Sequence, residues 1–174
     1  NTWSIVAVDS ESDEIGVALA TCLAADVSIS RSAEGGFYGM FGTSDGGPSV
    51  ELARIDPAVG AMVAQARADA GNAARLDSAF AELLGGGTPD EAVVEAIEGD
   101  AMSQNRQYAI ATFDGEAASF TGSETSEWSG GVSQKAVAIQ GNILVGAQVV
   151  EEAMAAFETA MADPDAGLGD ALMA

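Results

Sequence analysis

The grouping of strand-like and helix-like segments constrains the fold of this chain more than any other feature. Short apolar runs at residues 3–8, 15–23 and 58–66 and the period-two alternation of residues 26–31 favour β-strands, and the first two runs flank a polar turn as in a hairpin. Helical periodicity appears only in the middle of the chain and near its end. Because strands and helices are grouped and do not alternate, the pattern predicts an α+β fold with antiparallel sheet.

The helical segments carry clear end signals. Asn72 is predicted to cap a helix that runs to Leu84 and stops at the glycines 85–87. Thr88 and Glu91 form a capping-box pattern with Pro89 at the first helical position, which predicts a second helix. Residues 148–161 have the spacing of an amphipathic helix.

The rest of the second half reads as strands and turns. Residues 107–113 and 117–121 flank Asp114-Gly115, the strongest hairpin signal in the chain. Residues 122–131 are predicted to form a polar loop containing Trp128. Residues 136–140 and 143–145 are predicted as strands that flank a turn or bulge at Gly141-Asn142. Residues 168–173 resemble the start of another helix, so we expect the chain to continue past residue 174.

We expect one domain over residues 1–174, with residues 32–55 as an inserted segment rich in glycine and aromatic residues. Residues 32–48 lack periodicity and are predicted to form a loop. Its large side chains suit either the edge of a core or a self-association surface, because aromatic residues and methionine are enriched at interfaces. These residues are Phe37, Tyr38, Met40 and Phe41.

The charge excludes several classes of partner. The 174 residues include 27 Asp and Glu, 6 Lys and Arg and no His, a formal net charge of −21. So few cations cannot cover a nucleic acid or an anionic membrane surface, and neither is predicted as a partner. The predicted partner is a second copy of the chain, and subunits of like charge need salt or cations to associate.

The lack of histidine restricts the chemistry. A Ser-His-Asp triad and a His-ligated zinc are impossible, and no cofactor is predicted. Asp9, Glu11 and Asp13 alternate like the first ligands of a calcium loop, but Glu14 replaces the required glycine. At most, weak binding of divalent cations is expected there. Cys22, the single cysteine, is predicted to be a buried, inert thiol.

The composition and the first residue suggest a location. Extreme acidity fits a protein kept soluble in a saline or extracellular environment. The sequence begins with Asn1 and enters a strand at once, which fits a secreted protein after signal-peptide removal.

Several segments together resemble a known family. The matching segments are residues 2–9, 15–20, 59–65, 88–92, 106–107, 120–122, 140–146 and 149–154. With these segments the chain is similar to an uncharacterised prokaryotic family assigned an N-terminal-nucleophile (Ntn) hydrolase-like fold, a relative of the proteasome-subunit superfamily. The resemblance implies a four-layer α-β-β-α sandwich of two antiparallel sheets with helices outside.

The resemblance also implies a reaction that needs no histidine. In that superfamily an N-terminal Thr, Ser or Cys attacks an amide carbonyl, and its own α-amine accepts the proton. Thr2 is the corresponding candidate, although it is also an ordinary β-branched strand residue. Asn142 and the Gly141 amide are candidate oxyanion donors.

The sequence departs from the proteasome pattern at two points. Asn1 precedes Thr2, and the Asp and Lys that tune the nucleophile in proteasome-type relatives are missing. Arg31 is the nearest cation in sequence and supplies charge but no proton transfer. Two hypotheses follow: a secreted, self-associating homo-oligomer with silent or weak catalysis, or an amide hydrolase in which removal of Asn1 exposes Thr2.

Overall fold

The computed structural model describes residues 1–22, 25–31, 36–43 and 50–174. Ten strands and four α-helices lie in these ranges, together with one 3₁₀ turn at Ser103–Asn105. In chain order they are β1 (Thr2–Asp9), β2 (Glu14–Thr21), β3 (Ala25–Arg31), β4 (Phe37–Thr43), β5 (Val50–Asp56), β6 (Gly60–Ala66), α1 (Asn72–Leu84), α2 (Pro89–Ile97), β7 (Arg106–Thr112), β8 (Ala117–Thr121), β9 (Trp128–Gln134), β10 (Val137–Leu144), α3 (Gln148–Met161) and α4 (Leu168–Leu172).

The strands form two antiparallel sheets. The four-stranded sheet has the order β2-β1-β10-β9, and the six-stranded sheet has the order β3-β4-β5-β6-β7-β8. The predicted hairpins β1-β2 and β7-β8 are present, with Asp9 opposite Glu14 and Ala111 opposite Ala117. The prediction of an α+β fold with antiparallel sheets and grouped helices is confirmed.

Strand alternation divides the apolar side chains among three clusters. In β1, Ile5 and Ala7 face α3 and α4, whereas Val6 and Val8 face the other sheet. On the six-stranded sheet, α1 and α2 pack over β6 and β7, where Leu76 and Phe80 join Met62, Tyr108 and Ile110. Each sheet therefore has helices on one face and the second sheet on the other.

The N-terminus of α2 follows the sequence prediction, whereas the N-terminus of α1 differs from it. The Thr88 hydroxyl accepts from the Glu91 amide at 3.3 Å, and the Thr88 amide donates to the Glu91 carboxylate at 2.9 Å, so the predicted capping box is confirmed. For α1, however, the N-cap is Gly71. The predicted cap, Asn72, is buried and donates instead to the Glu51 carbonyl at 3.0 Å, which ties α1 to β5.

The predicted loop over residues 32–48 is wrong for its central part. Residues 37–43 form β4, which pairs with β3 and β5, while residues 32–35 and 44–49 lie outside the described residues. Gly39 interrupts the alternation of side chains by which a strand is recognised in a sequence, and the packing of β4 on β5 explains why a glycine stands there. A side chain at Gly39 would come within 3.2 Å of the Ala53 side chain on β5, beside a register shift in this pairing.

Two predictions around β9 and β10 also need correction. The predicted loop 122–131 ends earlier, because β9 begins at Trp128, whose ring lies over Gly130 where a side chain would clash at 2.9 Å. β10 is one strand through Gly141 and Asn142, with a register shift between Asn142 and Leu144. Of the two predicted alternatives, the bulge is present and the turn is not, since pairing with both neighbouring strands outweighs the local turn preference of Gly-Asn.

Candidate functional site

The polar end of the space between the sheets is the candidate site. Thr2 and Ser4 lie on the same face of β1 as Val6 and Val8, because side chains alternate along a strand. The inward residues therefore change from apolar at the Val8 end to hydroxyl-bearing at the Thr2 end. The same change occurs on β6, where Ala61 and Val63 are followed by Gln65.

Thr2 is positioned by both of its neighbouring strands. Its register partners are Thr21 on β2 and Asn142 on β10. The hydroxyl oxygens of Thr2 and Thr21 are 3.0 Å apart and form a hydrogen bond. Thr2 is partly buried, so its side chain is held by the sheet and still reaches solvent.

A cavity of about 270 Å³ opens beside Thr2. The ends of β1, β2, β6 and β10 contribute to its wall, together with the loop that precedes β9. Its lining includes Thr2, Cys22, Arg67, Glu124 and Asn142. Cys22 is exposed, which corrects the prediction of a buried thiol, and its sulfur lies 3.1 Å from the Asn1 nitrogen. β2 ends at Thr21, so the cysteine lies outside the packed sheet.

Gln107 connects the cavity wall to the buried polar groups. It is fully buried, and its amide nitrogen donates to the Gly141 carbonyl at 2.8 Å and to the Thr121 hydroxyl at 3.0 Å. Its amide oxygen accepts from Asn142 Nδ2 at 2.8 Å and from Gln65 Nε2 at 3.0 Å. One side chain thus joins β6, β7, β8 and β10 and fixes the orientation of the Asn142 amide.

Further buried polar atoms lie behind this network. In the part of the chain that the structure describes, Ser4 Oγ, Gln65 Oε1 and both amide atoms of Gln140 have no hydrogen-bond partner. Ser4 and Gln140 are register partners on β1 and β10. Unpaired buried polar groups cost stability, so their concentration beside Thr2 marks a region not optimised for packing alone.

The bulge in β10 places strain next to the site. Ile143 has a φ of +56°, a left-handed conformation that is an outlier for a β-branched residue. Its amide donates to the Ser126 carbonyl at 3.3 Å, which ties the bulge to the loop before β9. Such strained positions concentrate at binding and catalytic sites.

A charged network supports the wall formed by Arg67. Buried Arg106 donates to the Asp100 carboxylate at 2.5 Å and to the Asp69 carboxylate at 2.7 Å, and it also donates to the backbone carbonyl of Arg67. Arg75 donates to Asp69 at 2.6 Å. The segment after β6 is therefore fixed by two guanidinium groups.

The carboxylates of this network are strongly stabilised as anions. Burial alone would raise the pKa of Asp69, but hydrogen bonds from Arg75, Arg106 and the Gly71 amide lower it from 3.8 to about 2. The Arg106 hydrogen bond likewise lowers the pKa of Asp100, against the opposing effect of burial. Both groups are charged at neutral pH.

The structure brings together some of the predicted site residues. Thr2 and Asn142 line one cavity, and Gly141 lies beside them within β10, where its carbonyl accepts from Gln107. Arg31 does not join them. It pairs with Phe37 at the far end of the outermost strand β3, whereas the Thr2 cavity lies at the opposite strand ends. The arginine that lines the cavity is Arg67.

Arg67 was not foreseen because it follows a strand with no motif around it. Ala66 turns the chain at the end of β6 with a φ of +71°, and an alanine gives no sequence signal for such a turn. Arg67 shares a cavity with Thr2 because the two sheets pack together, and residue spacing along the sequence does not indicate this arrangement.

The remaining predicted residues lie elsewhere. Phe37 and Tyr38 are on β4, where the Tyr38 ring stacks on the Arg54 guanidinium at 4.9 Å, and Met40 and Phe41 follow on the same strand. Asp9, Glu11 and Asp13 form the β1-β2 hairpin tip, where Asp9 accepts from the Glu11 amide and the Ser12 hydroxyl. Within the described ranges, no three acidic or Cys side chains are close enough to hold a metal ion.

A second cavity, of about 370 Å³, lies between the four-stranded sheet and α3 and α4. Its lining is apolar and includes Trp3, Ile5 and Leu172, which face away from Thr2. No helix in the described part of the chain is long and apolar enough to cross a membrane.

The fold and the site thus define an α+β protein with two antiparallel sheets and a polar cavity at one end of the space between them. Residues 47–174 match the model of a family of unknown function, DUF1028, and the chain belongs to that family.

A solved structure and a search of curated proteins extend the comparison. The chain is similar to the crystal structure of protein SPO2555 from Silicibacter pomeroyi, which is itself described with the DUF1028 family model, with 25% identity and a TM-score of 0.73. The similarity covers 99% of this chain and 66% of the other, so the chain spans less than two thirds of that protein's length. No curated protein matches this sequence.

Proposed function

We propose that this protein is an amide hydrolase in which Thr2, once the Asn1–Thr2 bond is cut, acts as an N-terminal nucleophile. The proposal includes an Ntn-hydrolase-like, four-layer α-β-β-α architecture. It is supported by helices on the outer face of each of two antiparallel sheets. The observation that carries it is the position of Thr2: on an inward strand face, at a cavity, beside an oriented amide donor.

The cut is required because a peptide nitrogen is not basic. A free α-amine has a pKa of about 7.7–8.0 and accepts a proton well at neutral pH. The amine and the hydroxyl of one threonine are only three bonds apart, so the base needs no further positioning. The same requirement holds whatever length of chain precedes Thr2.

The reaction then follows in two balanced steps. Thr2 Oγ1 attacks the amide carbonyl, its proton passes to the Thr2 amine, and that amine returns the proton to the leaving nitrogen as the C–N bond breaks. The product of this step is an ester on Thr2. Water attacks the ester with the same amine as base, and the acid product leaves as Oγ1 regains its proton.

Asn142 is the proposed oxyanion donor. One hydrogen of its Nδ2 is committed to Gln107 at 2.8 Å, which fixes the amide plane. The other hydrogen is available to the negative oxygen that forms when Oγ1 attacks. A preorganised donor of this kind contributes about 10²–10³-fold to such reactions.

Hydrolysis of a neutral substrate tests the proposal. The protein is prepared with Thr2 as its first residue and assayed with N-acetyl-alanine p-nitroanilide. We expect turnover that disappears in Thr2→Ala and in protein that retains Asn1, and that is unchanged in Thr159→Ala, a control on the exposed side of α3. Equal turnover with and without Asn1, or none in the Thr2 form, would contradict the proposal.

We also propose self-association through β4, as a second and independent property. Phe37 on β4 is a large apolar side chain that is 40% exposed. The hairpin β3-β4 forms one edge of the six-stranded sheet. Burial of this aromatic residue against a second copy would offset its exposure.

Sedimentation velocity in high salt, which screens the negative charge, tests self-association. We expect a dimer or larger species that Phe37→Asp dissociates, whereas Val145→Asp, at a more exposed site just after β10 in the other sheet, leaves it intact. A monomer at all salt concentrations would overturn this second proposal.

A further inference from the structure

Arg67 is distinguished from the other arginines whose side chains the structure describes. Arg54, Arg75 and Arg106 each form ion pairs with carboxylates. Arg67 is exposed, lines the Thr2 cavity, and pairs with no carboxylate among the described residues. In a chain of net charge −21, a cavity-lining arginine that pairs with no described carboxylate is available to a ligand.

The backbone of Arg67 is held unusually firmly for an exposed residue. Its amide donates to the Asn105 carbonyl at 3.2 Å, and its carbonyl accepts from the buried Arg106 guanidinium. Arg106 is held in turn by Asp69 and Asp100. The charged network therefore fixes the Arg67 backbone, and the Arg67 guanidinium is left for a ligand.

The overall charge defines what that ligand is. A net charge of −21 repels anions on average, so an anionic ligand is best retained where a local cation receives it. Guanidinium groups bind carboxylates through paired, charge-assisted hydrogen bonds. Glu124 also lines the cavity, so its wall contains one arginine and one carboxylate.

We propose that the Thr2 site takes amides that carry a carboxylate, and that Arg67 is the residue that binds this carboxylate and sets the specificity. The inference rests on the proposed function, because it names the substrate class of the same site. The cavity of about 270 Å³ accommodates a small amide of the size of a modified amino acid better than a folded protein chain.

The test compares an anionic with a neutral probe. N-succinyl-alanine p-nitroanilide carries a carboxymethyl group that N-acetyl-alanine p-nitroanilide lacks, so the effect of each substitution is compared within one probe before the two probes are compared. We expect Arg67→Gln to raise KM for the succinyl probe about tenfold, with KM for the acetyl probe and both kcat values little changed. Arg67→Lys should restore part of the loss, and Lys135→Gln, which removes the same charge at the opposite strand ends, should change neither probe.

The outcomes separate this inference from the proposed function. Equal KM changes for both probes, or a change in kcat alone, would overturn carboxylate binding and leave Thr2 hydrolysis standing. If neither probe is hydrolysed, the proposed function fails, and calorimetric titration with succinate still decides the inference. Succinate binding that Arg67→Gln weakens about tenfold supports it, and binding that is absent or equal in the two proteins overturns it.

Discussion

At the scale of single residues, Gln107 contributes most to the organisation of the site. Its side chain satisfies polar groups on β6, β8 and β10 at once, and no apolar residue of similar size can replace those bonds. The network also fixes the plane of the Asn142 amide. Residue-level predictions therefore concern the buried polar groups and the strained residue beside them.

Replacement of Gln107 by leucine should destabilise the protein strongly. The change leaves the Gly141 carbonyl and the amides of Gln65 and Asn142 buried without partners, at about 1–3 kcal/mol for each group. We expect a loss of about 3 kcal/mol or more in the free energy of unfolding, measured by urea denaturation. Gln134→Leu, at an exposed end of β9, is the matched control, and equal effects of the two substitutions would contradict the assigned role.

Replacement of Ile143 by asparagine should stabilise the protein. Asparagine tolerates the left-handed region better than a β-branched residue, and Ile143 is 42% exposed, so little burial is lost. We expect a gain of about 1 kcal/mol in the free energy of unfolding. Val145→Asn, two residues away and 86% exposed, should have little effect. A loss of stability in Ile143→Asn would show that the bulge is not strained.

At the scale of elements, the charged network joins the segment after β6 to β7. Asp69 and Asp100 both approach Arg106, the first residue of β7. The Asp69 side chain is 52% exposed, so solvent screens part of its interaction. The network nevertheless gives the fold a definite dependence on pH.

Acid should weaken this connection in a defined range. The folded pKa of Asp69 is lowered from 3.8 to about 2, so its stabilisation is present above the unfolded value and is lost as pH falls toward 2. After allowance for screening, we expect Asp69→Asn to lose about 1 kcal/mol at neutral pH and to match the native protein near pH 2. Asp114→Asn, at an exposed hairpin tip, should show no such convergence.

Urea unfolding curves over this pH range provide the measurement. A constant difference between Asp69→Asn and the native protein at all pH values would show that the lost interaction is not electrostatic.

The elements also show how far the sequence alone predicts the structure. The two hairpins, α2 and α3 follow from local signals, because turn residues and the capping box act within a few positions. β4 was missed because its glycines fit a close approach to β5, and β10 was predicted as two strands because its pairing on both sides gives no local signal. Thr2 and Asn142, which the sequence predicts as site residues, line one cavity, whereas the place of Arg67 in its wall depends on how the sheets pack.

At the scale of the whole molecule, the excess negative charge lowers the stability of the folded state. The net charge of −21 places many carboxylates on one small surface, and three of the arginines are already used within ion pairs. Repulsion among the remaining carboxylates favours the unfolded chain, in which they are further apart.

Salt should therefore stabilise the protein. Sodium chloride shortens the Debye length to about 3 Å at 1 M and screens this repulsion. We expect the free energy of unfolding in urea, which is uncharged, to rise with sodium chloride and then level off. A steady fall with added salt would mean that attractive ion pairs outweigh the repulsion.

The most direct test of the central claim is covalent labelling of Thr2. Protein that begins at Thr2 is treated with a neutral β-lactone, and intact mass and peptide mapping locate the ester, with Cys22→Ala used throughout to remove the neighbouring thiol. The account predicts one label on Thr2 that is lost when Asn1 is retained. A protein that stays unlabelled, or one labelled equally with Asn1 present, would contradict it.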